Sequence, residues 1–201
     1  IMNYFIKALK ESTRLKSKLK DFSSNVNYFQ KKIYDTILSN NKIFLCGNGG
    51  SAADAQHLAA EFLVRLNPKI NRQALPMIPL ALDTSSLTAC GNDFSFDKIF
   101  SRNLEALGKK NDLLICFSTS GNSKNIIDVI KTAQKIGIDV ICFLGNGGGK
   151  VKKIFNIKKN IIIIPSKNTA RIQECHIFLG HVILNLVEKE LLKKKKLKKR
   201  I

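Results

Sequence analysis

Residues 44–62 read FLCGNGGSAADAQHLAAEF, an apolar run that stops at a glycine-rich turn and passes at once into helical spacing. The apolar run is typical of a buried strand, which we place at 42–46, and the segment after the turn predicts a helix over 52–66. A buried strand joined by a tight turn to a helix is the first half of a βαβ unit. This stretch therefore predicts an α/β fold.

Four more short apolar runs follow, and helical segments separate them. We predict strands at 77–82, 112–117, 139–144 and 160–165 and helices at 83–93, 96–107, 124–136 and 169–192. Near-continuous apolar strands that alternate with helices indicate a parallel sheet covered on both faces. The predicted fold is a five-stranded parallel sheet flanked by helices, a Rossmann-like sandwich.

The N-terminal segment precedes this alternating pattern. Residues 3–38 show helical spacing twice, which predicts a helical hairpin. We divide the chain into this hairpin at 1–40, packing on the core or on an oligomer interface, the α/β domain at 41–192, and a basic tail at 193–201.

The composition limits the classes of protein and the compartment. The longest apolar runs, such as IIII at 161–164, are too short to cross a bilayer, and the N-terminal charges do not fit a secretory signal. Five cysteines, an odd number without a CxxC motif, suit reduced thiols. We expect a cytoplasmic protein with no membrane partner.

The net charge of +19 raises the question of nucleic acid binding. Seven of the basic residues lie in the tail KKKKLKKR at 193–200, and aromatic residues do not interleave with the lysines as base stacking requires. We therefore expect no nucleic acid partner and read the tail as solvated.

Two turns at the carboxyl ends of predicted strands are candidates for ligand binding. In CGNGGS (46–51), three glycines permit positive φ, Ser51 fits an N-cap with Asp54 completing a capping box, and free backbone N–H groups favour an anion. In FSTSGNS (117–123), four hydroxyls beside a helix N-terminus suit a phosphate monoester. An ordinary turn rich in capping residues explains the second loop equally well. Neither turn is a Walker loop or GxGxxG, so we expect no nucleotide cofactor.

The three histidines supply candidate chemistry. His57 and Glu61 are four residues apart on one predicted helix, about 40° apart around its axis. On the last helix, Gln173 and His181 differ by about 80°, whereas His176 lies about 140° from His181, so spacing alone leaves open which histidine joins the site. A surface His–Glu pair is the plainer interpretation, but beside phosphate-type turns the pair suits proton transfer on a sugar phosphate through an enediol.

Four segments in order resemble the phosphoheptose isomerase family of the sugar isomerase (SIS) domain superfamily. They are CGNGGSAADAQHLAAEF (46–62), GNDFSFDKIFSR (91–102), STSGNS (118–123) and ARIQECHIFLGH (170–181). The resemblance covers about residues 40–190. It implies an SIS-type fold, a homotetramer with active sites at subunit interfaces, and conversion of D-sedoheptulose 7-phosphate to D-glycero-D-manno-heptose 7-phosphate, the first step toward activated heptose for lipopolysaccharide and other surface glycans.

The resemblance also assigns roles to individual residues. It implies that Glu61 and His181 are the acid–base pair, and that His57, Glu61, Gln173 and His181 bind one zinc ion per subunit. The implied substrate-binding residues are Asn48, Gly49, Gly50, Glu61, Asn92, Asp93, Ser118, Thr119, Ser120, Ser123 and Gln173. His176 is left as a packing residue or as one that supports the site residues without touching the ligand.

Two other functions fit the same fold. A non-enzymatic SIS relative that binds the replication initiator resembles this chain, but its glycine turn, its STSGNS-like loop and its final histidine are altered. A sugar-phosphate sensor would need both turns but not Glu61 and His181 together. All of these features are present here, which favours the enzyme.

Overall fold

A five-stranded, wholly parallel sheet forms the centre of the fold, in the order β2-β1-β3-β4-β5. The structure is a computed structural model that describes residues 2–81, 83–155 and 158–194. Its strands are β1 (Ile43–Cys46), β2 (Met77–Pro79), β3 (Leu113–Ser118), β4 (Asp139–Gly145) and β5 (Ile161–Ile164). The predicted five-stranded parallel sheet is confirmed.

Helices cover both faces of the sheet. They are α1 (Met2–Ser17), α2 (Ser23–Leu38), α3 (Gly50–Leu63), α4 (Thr84–Asp93), α5 (Ile99–Leu107), α6 (Lys124–Ile136) and α7 (Thr169–Lys193). Successive residues of β1 point to opposite faces, so Leu45 joins the core under α2, α3 and α7, while Phe44 joins the core under α5 and α6.

The N-terminal helices α1 and α2 are joined by a 3₁₀ turn at Lys18–Phe22, and both pack against α7. Of the predicted basic tail, Lys193 is the last residue of α7 and Lys194 its C-cap, and 195–201 lie outside the described residues. None of the described helices combines the length and hydropathy needed to span a lipid bilayer.

Strand β2 is shorter than the predicted 77–82 because the chain turns after Pro79. Asp83 then caps α4 by accepting a hydrogen bond from the Ser86 backbone N–H at 2.7 Å.

The strand order creates a crevice at the carboxyl edge of the sheet. The chain leaves β1 toward β2 on one side and leaves β3 toward β4 on the other, so the connections diverge between the adjacent strands β1 and β3. Open α/β sheets bind ligands at such a switch point. The two candidate turns, 46–51 and 118–123, follow β1 and β3 and therefore lie side by side there.

Candidate active site

The glycine-rich turn after β1 needs two of its glycines for different physical reasons. Gly49 is the N-cap of α3 with φ 56° and ψ −122°, a backbone conformation that favours glycine. Gly50 has an ordinary φ but is needed for space, because a Cβ there would lie 2.5 Å from the Gln173 Nε2. The turn thus brings the N-terminus of α3 into contact with α7, and the N–H groups of Ser51 and Ala52 are bonded to the carbonyls of Asn48 and Gly49.

The predicted capping box at this turn is wrong. The helix begins at Gly50, two residues earlier than predicted, so Ser51 lies inside the first turn, where it is buried and caps nothing. Asp54 makes no capping bond either, and its Oδ2 is buried without a partner. Burial raises the pKa of Asp54 to about 6, and attraction to His57 limits the rise.

A reciprocal amide pair joins the glycine turn to the second loop. The Asn48 Nδ2 donates to the Asn125 Oδ1 at 2.9 Å, and the Asn125 Nδ2 donates to the Asn48 Oδ1 at 2.8 Å. Asn125 lies in the first turn of α6 and is 2% exposed. Sequence reasoning missed it because nothing local distinguishes an asparagine in the first turn of a helix from a solvated one.

In the hydroxyl-rich loop after β3, two side-chain hydroxyls stabilise the turn and two others make no hydrogen bond among the residues that the structure describes. The Ser118 Oγ accepts from the Gly121 N–H and the Ser120 Oγ accepts from the Asn122 N–H, both at 3.1 Å. In the described part of the chain, the hydroxyls of Thr119 and Ser123 make no hydrogen bond, which leaves them for a ligand at the N-terminus of α6.

A second glycine-rich segment, GNGGGK at 145–150, supports this loop, and sequence analysis did not single it out. The Asn122 Oδ1 accepts from the Lys150 N–H at 3.0 Å, and the Gly121 carbonyl accepts from the Val151 N–H at 2.9 Å. A Cβ at Gly121 would lie 2.1 Å from the Gly148 carbonyl oxygen. The composition, like that of 46–51, was the signal that could have identified it.

Three of the predicted catalytic and metal-binding residues converge between α3 and α7. The Nε2 atoms of His57 and His181 are 2.8 Å apart, and the Glu61 Oε1 lies 3.3 Å from the first and 3.7 Å from the second. All three donor atoms lie within 4.8 Å of one another. The glutamate is the most buried, with 19% of its side chain exposed, and both imidazoles remain partly open to solvent.

Close packing of two parallel helices produces this convergence. Gly50 meets Gln173 near the start of the pair, and Gly180 meets Leu58 further along, where a Cβ on the glycine would lie 2.5 Å from the Leu58 Cδ1. His181, the next residue of α7, is thereby brought against α3. Gln173 lies eight residues before it, at the N-terminus of α3, with its amide against Gly50.

His176 lies elsewhere, in the core. It is fully buried beside Phe117 and Phe143, and its Nε2 donates to the Leu144 carbonyl at 3.1 Å. Burial lowers its pKa to about 4, so the imidazole is neutral at physiological pH. The structure therefore assigns His181, and not His176, to the cluster with Glu61.

Asn92 and Asp93 occupy the exposed C-terminal end of α4, where the Asn92 Nδ2 donates to the Asp93 Oδ1 at 2.8 Å. Among the described residues, neither contacts the two turns or the histidine cluster by a hydrogen bond or ion pair. The adjacent Phe94 and Phe96 are 60% and 62% exposed. An asparagine, an aspartate and two aromatic rings thus share one exposed surface.

The chain is similar to known proteins along most of its length. The SIS domain family model matches residues 7–145. A phosphoheptose isomerase of Clostridium acetobutylicum is 45% identical over 194 residues, which cover 94% of this chain and 96% of the relative. One from Campylobacter concisus is 46% identical over 180 residues, 87% of this chain and 93% of the relative.

Two solved structures of phosphoheptose isomerases resemble this chain in fold. The phosphoheptose isomerase of Neisseria gonorrhoeae superimposes with a TM-score of 0.86 at 36% identity, over 94% of this chain and 100% of that one. The phosphoheptose isomerase of Francisella tularensis has a TM-score of 0.89 at 28% identity, over 94% of this chain and 98% of that one.

Proposed function

The chain belongs to the SIS domain family and, within it, to the phosphoheptose isomerases, and we propose that it converts D-sedoheptulose 7-phosphate to D-glycero-D-manno-heptose 7-phosphate. This is an aldose–ketose isomerisation, carried out in the cytoplasm as the first step toward activated heptose for surface glycans. The observation that carries the proposal is the meeting of Glu61 and His181, 3.7 Å apart, in a chain that also carries the hydroxyl-rich loop.

The phosphate end of the substrate binds at the loop after β3. The free hydroxyls of Thr119 and Ser123 donate to phosphate oxygens, and Ser118 and Ser120 shape the loop around them. The open N-terminus of α6 adds backbone donors and a favourable dipole. Asn48, Gly49 and Gly50 line the facing side of the crevice and contact the sugar.

The reaction needs a base at one carbon and a proton donor at the neighbouring carbonyl. Glu61 takes the proton from C1, and His181 donates to the oxygen at C2, which gives an enediol. Glu61 then returns its proton to C2, and His181 takes the proton from the C1 oxygen, which completes the aldose and restores both residues. The Glu61 Oε1 faces both imidazoles, which leaves the Oε2 for proton transfer.

The donor set also fits zinc. Two imidazole nitrogens and one carboxylate oxygen within 4.8 Å of one another are typical zinc ligands. The amide of Gln173 lies against Gly50, about 12 Å before His181 along α7, so we propose that Gln173 contacts the substrate and does not join these three ligands. A bound zinc ion supplies Lewis-acid stabilisation of negative charge on the substrate oxygens. Both turns lack the features of a nucleotide site, and we propose no nucleotide cofactor.

We also propose a homotetramer with active sites at subunit interfaces. Asn92 and Asp93 lie apart from the cluster of their own chain and beside the exposed Phe94 and Phe96. Exposed apolar patches of this kind mark interaction surfaces. In the assembly, this surface brings Asn92 and Asp93 to the crevice of a neighbouring subunit.

The direct test is to incubate the purified protein with D-sedoheptulose 7-phosphate, with and without a metal chelator, and to follow the product by NMR. We expect product formation, its loss with chelator, and its recovery with added zinc. Glu61→Gln and His181→Gln each abolish turnover while the fold remains intact, and Ser120→Ala raises KM. Absence of product together with binding of the replication initiator would support the non-enzymatic alternative.

A further inference from the structure

Arg72 and Glu188 form an ion pair in the interior, beyond the last turn of α3. The Arg72 Nε donates to the Glu188 Oε1 at 2.6 Å, and neither side chain is exposed. Sequence analysis assigned no role to either residue. The pair joins the segment after α3 to the C-terminal half of α7.

The remaining donors of Arg72 bind backbone carbonyls at the end of α3. Its Nη2 donates to the carbonyl of Glu61 at 2.8 Å, and its Nη1 donates to the carbonyl of Phe62 at 3.0 Å. Carbonyls in the last turn of a helix have no partner within the helix, and a cation there also interacts favourably with the helix dipole. Arg72 therefore holds the main chain of Glu61 itself.

Glu188 continues the face of α7 that carries His181. Seven residues separate the two, which corresponds to nearly two full turns, about 20° of rotation and about 10 Å along the axis. Helix α7 thus meets α3 at the His57, Glu61 and His181 cluster and then, about two turns later, meets the segment that follows α3 at the ion pair. The second contact fixes how far the helices slide and rotate against each other at the first.

We propose that Arg72 and Glu188 are positioning residues that set the register of α3 against α7 and so hold the donor atoms of Glu61, His57 and His181 together. The inference rests on the proposed function of that cluster. A buried ion pair can often be replaced by apolar side chains without loss of stability. An apolar pair can fill the space but forms no hydrogen bond to the Glu61 carbonyl. A variant with such a pair can therefore keep its stability while the site loses its geometry, and the two effects can be measured separately.

The test compares the wild type with Arg72→Met/Glu188→Leu and with Glu188→Gln, which keeps the volume and one hydrogen bond. Zinc affinity is measured on metal-free protein by competition with a chromogenic chelator, and kcat and KM are measured with D-sedoheptulose 7-phosphate. We expect the double variant to lose about tenfold or more in both kcat and zinc affinity, with KM within about twofold because the phosphate loop is untouched. The smaller change, Glu188→Gln, gives an intermediate loss.

The matched control is Asp112→Asn, at the residue that precedes β3. Asp112 is fully buried and accepts from the Lys42 and Lys109 backbone N–H groups. We expect this variant to lower the unfolding midpoint but to keep wild-type zinc affinity and kcat. Equal losses in the control and in the ion-pair variants would overturn the positioning role, as would unchanged values in both ion-pair variants.

A third measurement does not depend on the proposed function. The chain has three histidines, so their ring resonances can be resolved by NMR. Loss of the register should shift the resonances of His57 and His181 but not those of the core residue His176. If the wild type neither isomerises the sugar nor binds zinc, the proposed function fails. The positioning role is still tested in that case, because ring resonances that match the wild type in both variants would reject it.

Discussion

Gly180→Ala tests whether the close approach of α3 and α7 is required for activity. A Cβ at this position would lie 2.5 Å from the Leu58 Cδ1 and 2.8 Å from the Cδ2. Carbon atoms pack at about 3.5 Å or more, so about 1 Å of movement is needed, and Leu58 is buried in the core. The Leu58 side chain must change rotamer within the core or the helices must separate, next to His181, whose Nε2 lies 2.8 Å from that of His57.

The substitution has opposing effects on stability and a single effect on activity. Overpacking costs about 1–3 kcal/mol, whereas alanine in place of glycine inside a helix gains about 1 kcal/mol. The free energy of unfolding should therefore fall by only about 0–2 kcal/mol. Displacing a catalytic group by about 1 Å can cost about 100-fold in rate, so kcat should fall far more than stability predicts.

The assay measures kcat, KM, zinc affinity and the urea unfolding midpoint of Gly180→Ala and of the relief variant Gly180→Ala/Leu58→Ala. Removing the Leu58 methyl groups should restore part of the activity. The control for stability is Gly91→Ala, because a Cβ at that position would meet nothing within 4 Å. It shows the gain in helix propensity without overpacking, and only its stability is measured. A kcat and a zinc affinity within twofold of wild type in Gly180→Ala would refute the reasoning.

Two further predictions concern the core histidine and the amide pair. Because the pKa of His176 is about 4 when folded and about 6.5 when unfolded, the stability it confers is complete above pH 6.5 and is lost toward pH 4, by up to about 3 kcal/mol. Urea titrations at pH 7 and pH 4.5 should show a weaker pH dependence in His176→Gln; equal slopes would contradict the burial argument. Asn125→Ala should raise KM for the sugar phosphate several-fold because it releases the Asn48 side chain, and adding Asn48→Ala should cost little more, since the two amides form one pair. Fully additive losses in steady-state kinetics would show that the asparagines act separately.

Local patterns predicted the elements well where the physical cause was itself local. The apolar runs of β1, β3, β4 and β5 were recognisable because both faces of each strand are covered. The predicted end of β2 was wrong because the apolar run continues past the strand. The turn after Pro79 and the cap by Asp83 depend on local backbone geometry, which the hydrophobic pattern does not report. The predicted Ser51 cap failed for a similar reason, since Gly49 at positive φ starts the helix earlier.

The sequence by itself determined the βαβ alternation, the parallel sheet, the two turns and the spacing that places His57 beside Glu61. These follow from hydrophobic periodicity, glycine chemistry and helix geometry, all of which act between near neighbours. Only the tertiary structure decided the strand order that puts both turns at one crevice, the contact between His57 and His181, and the Asn48–Asn125 and Arg72–Glu188 pairs. Those contacts join residues 77 to 124 positions apart, and they form because helices packed on one sheet bring their faces together.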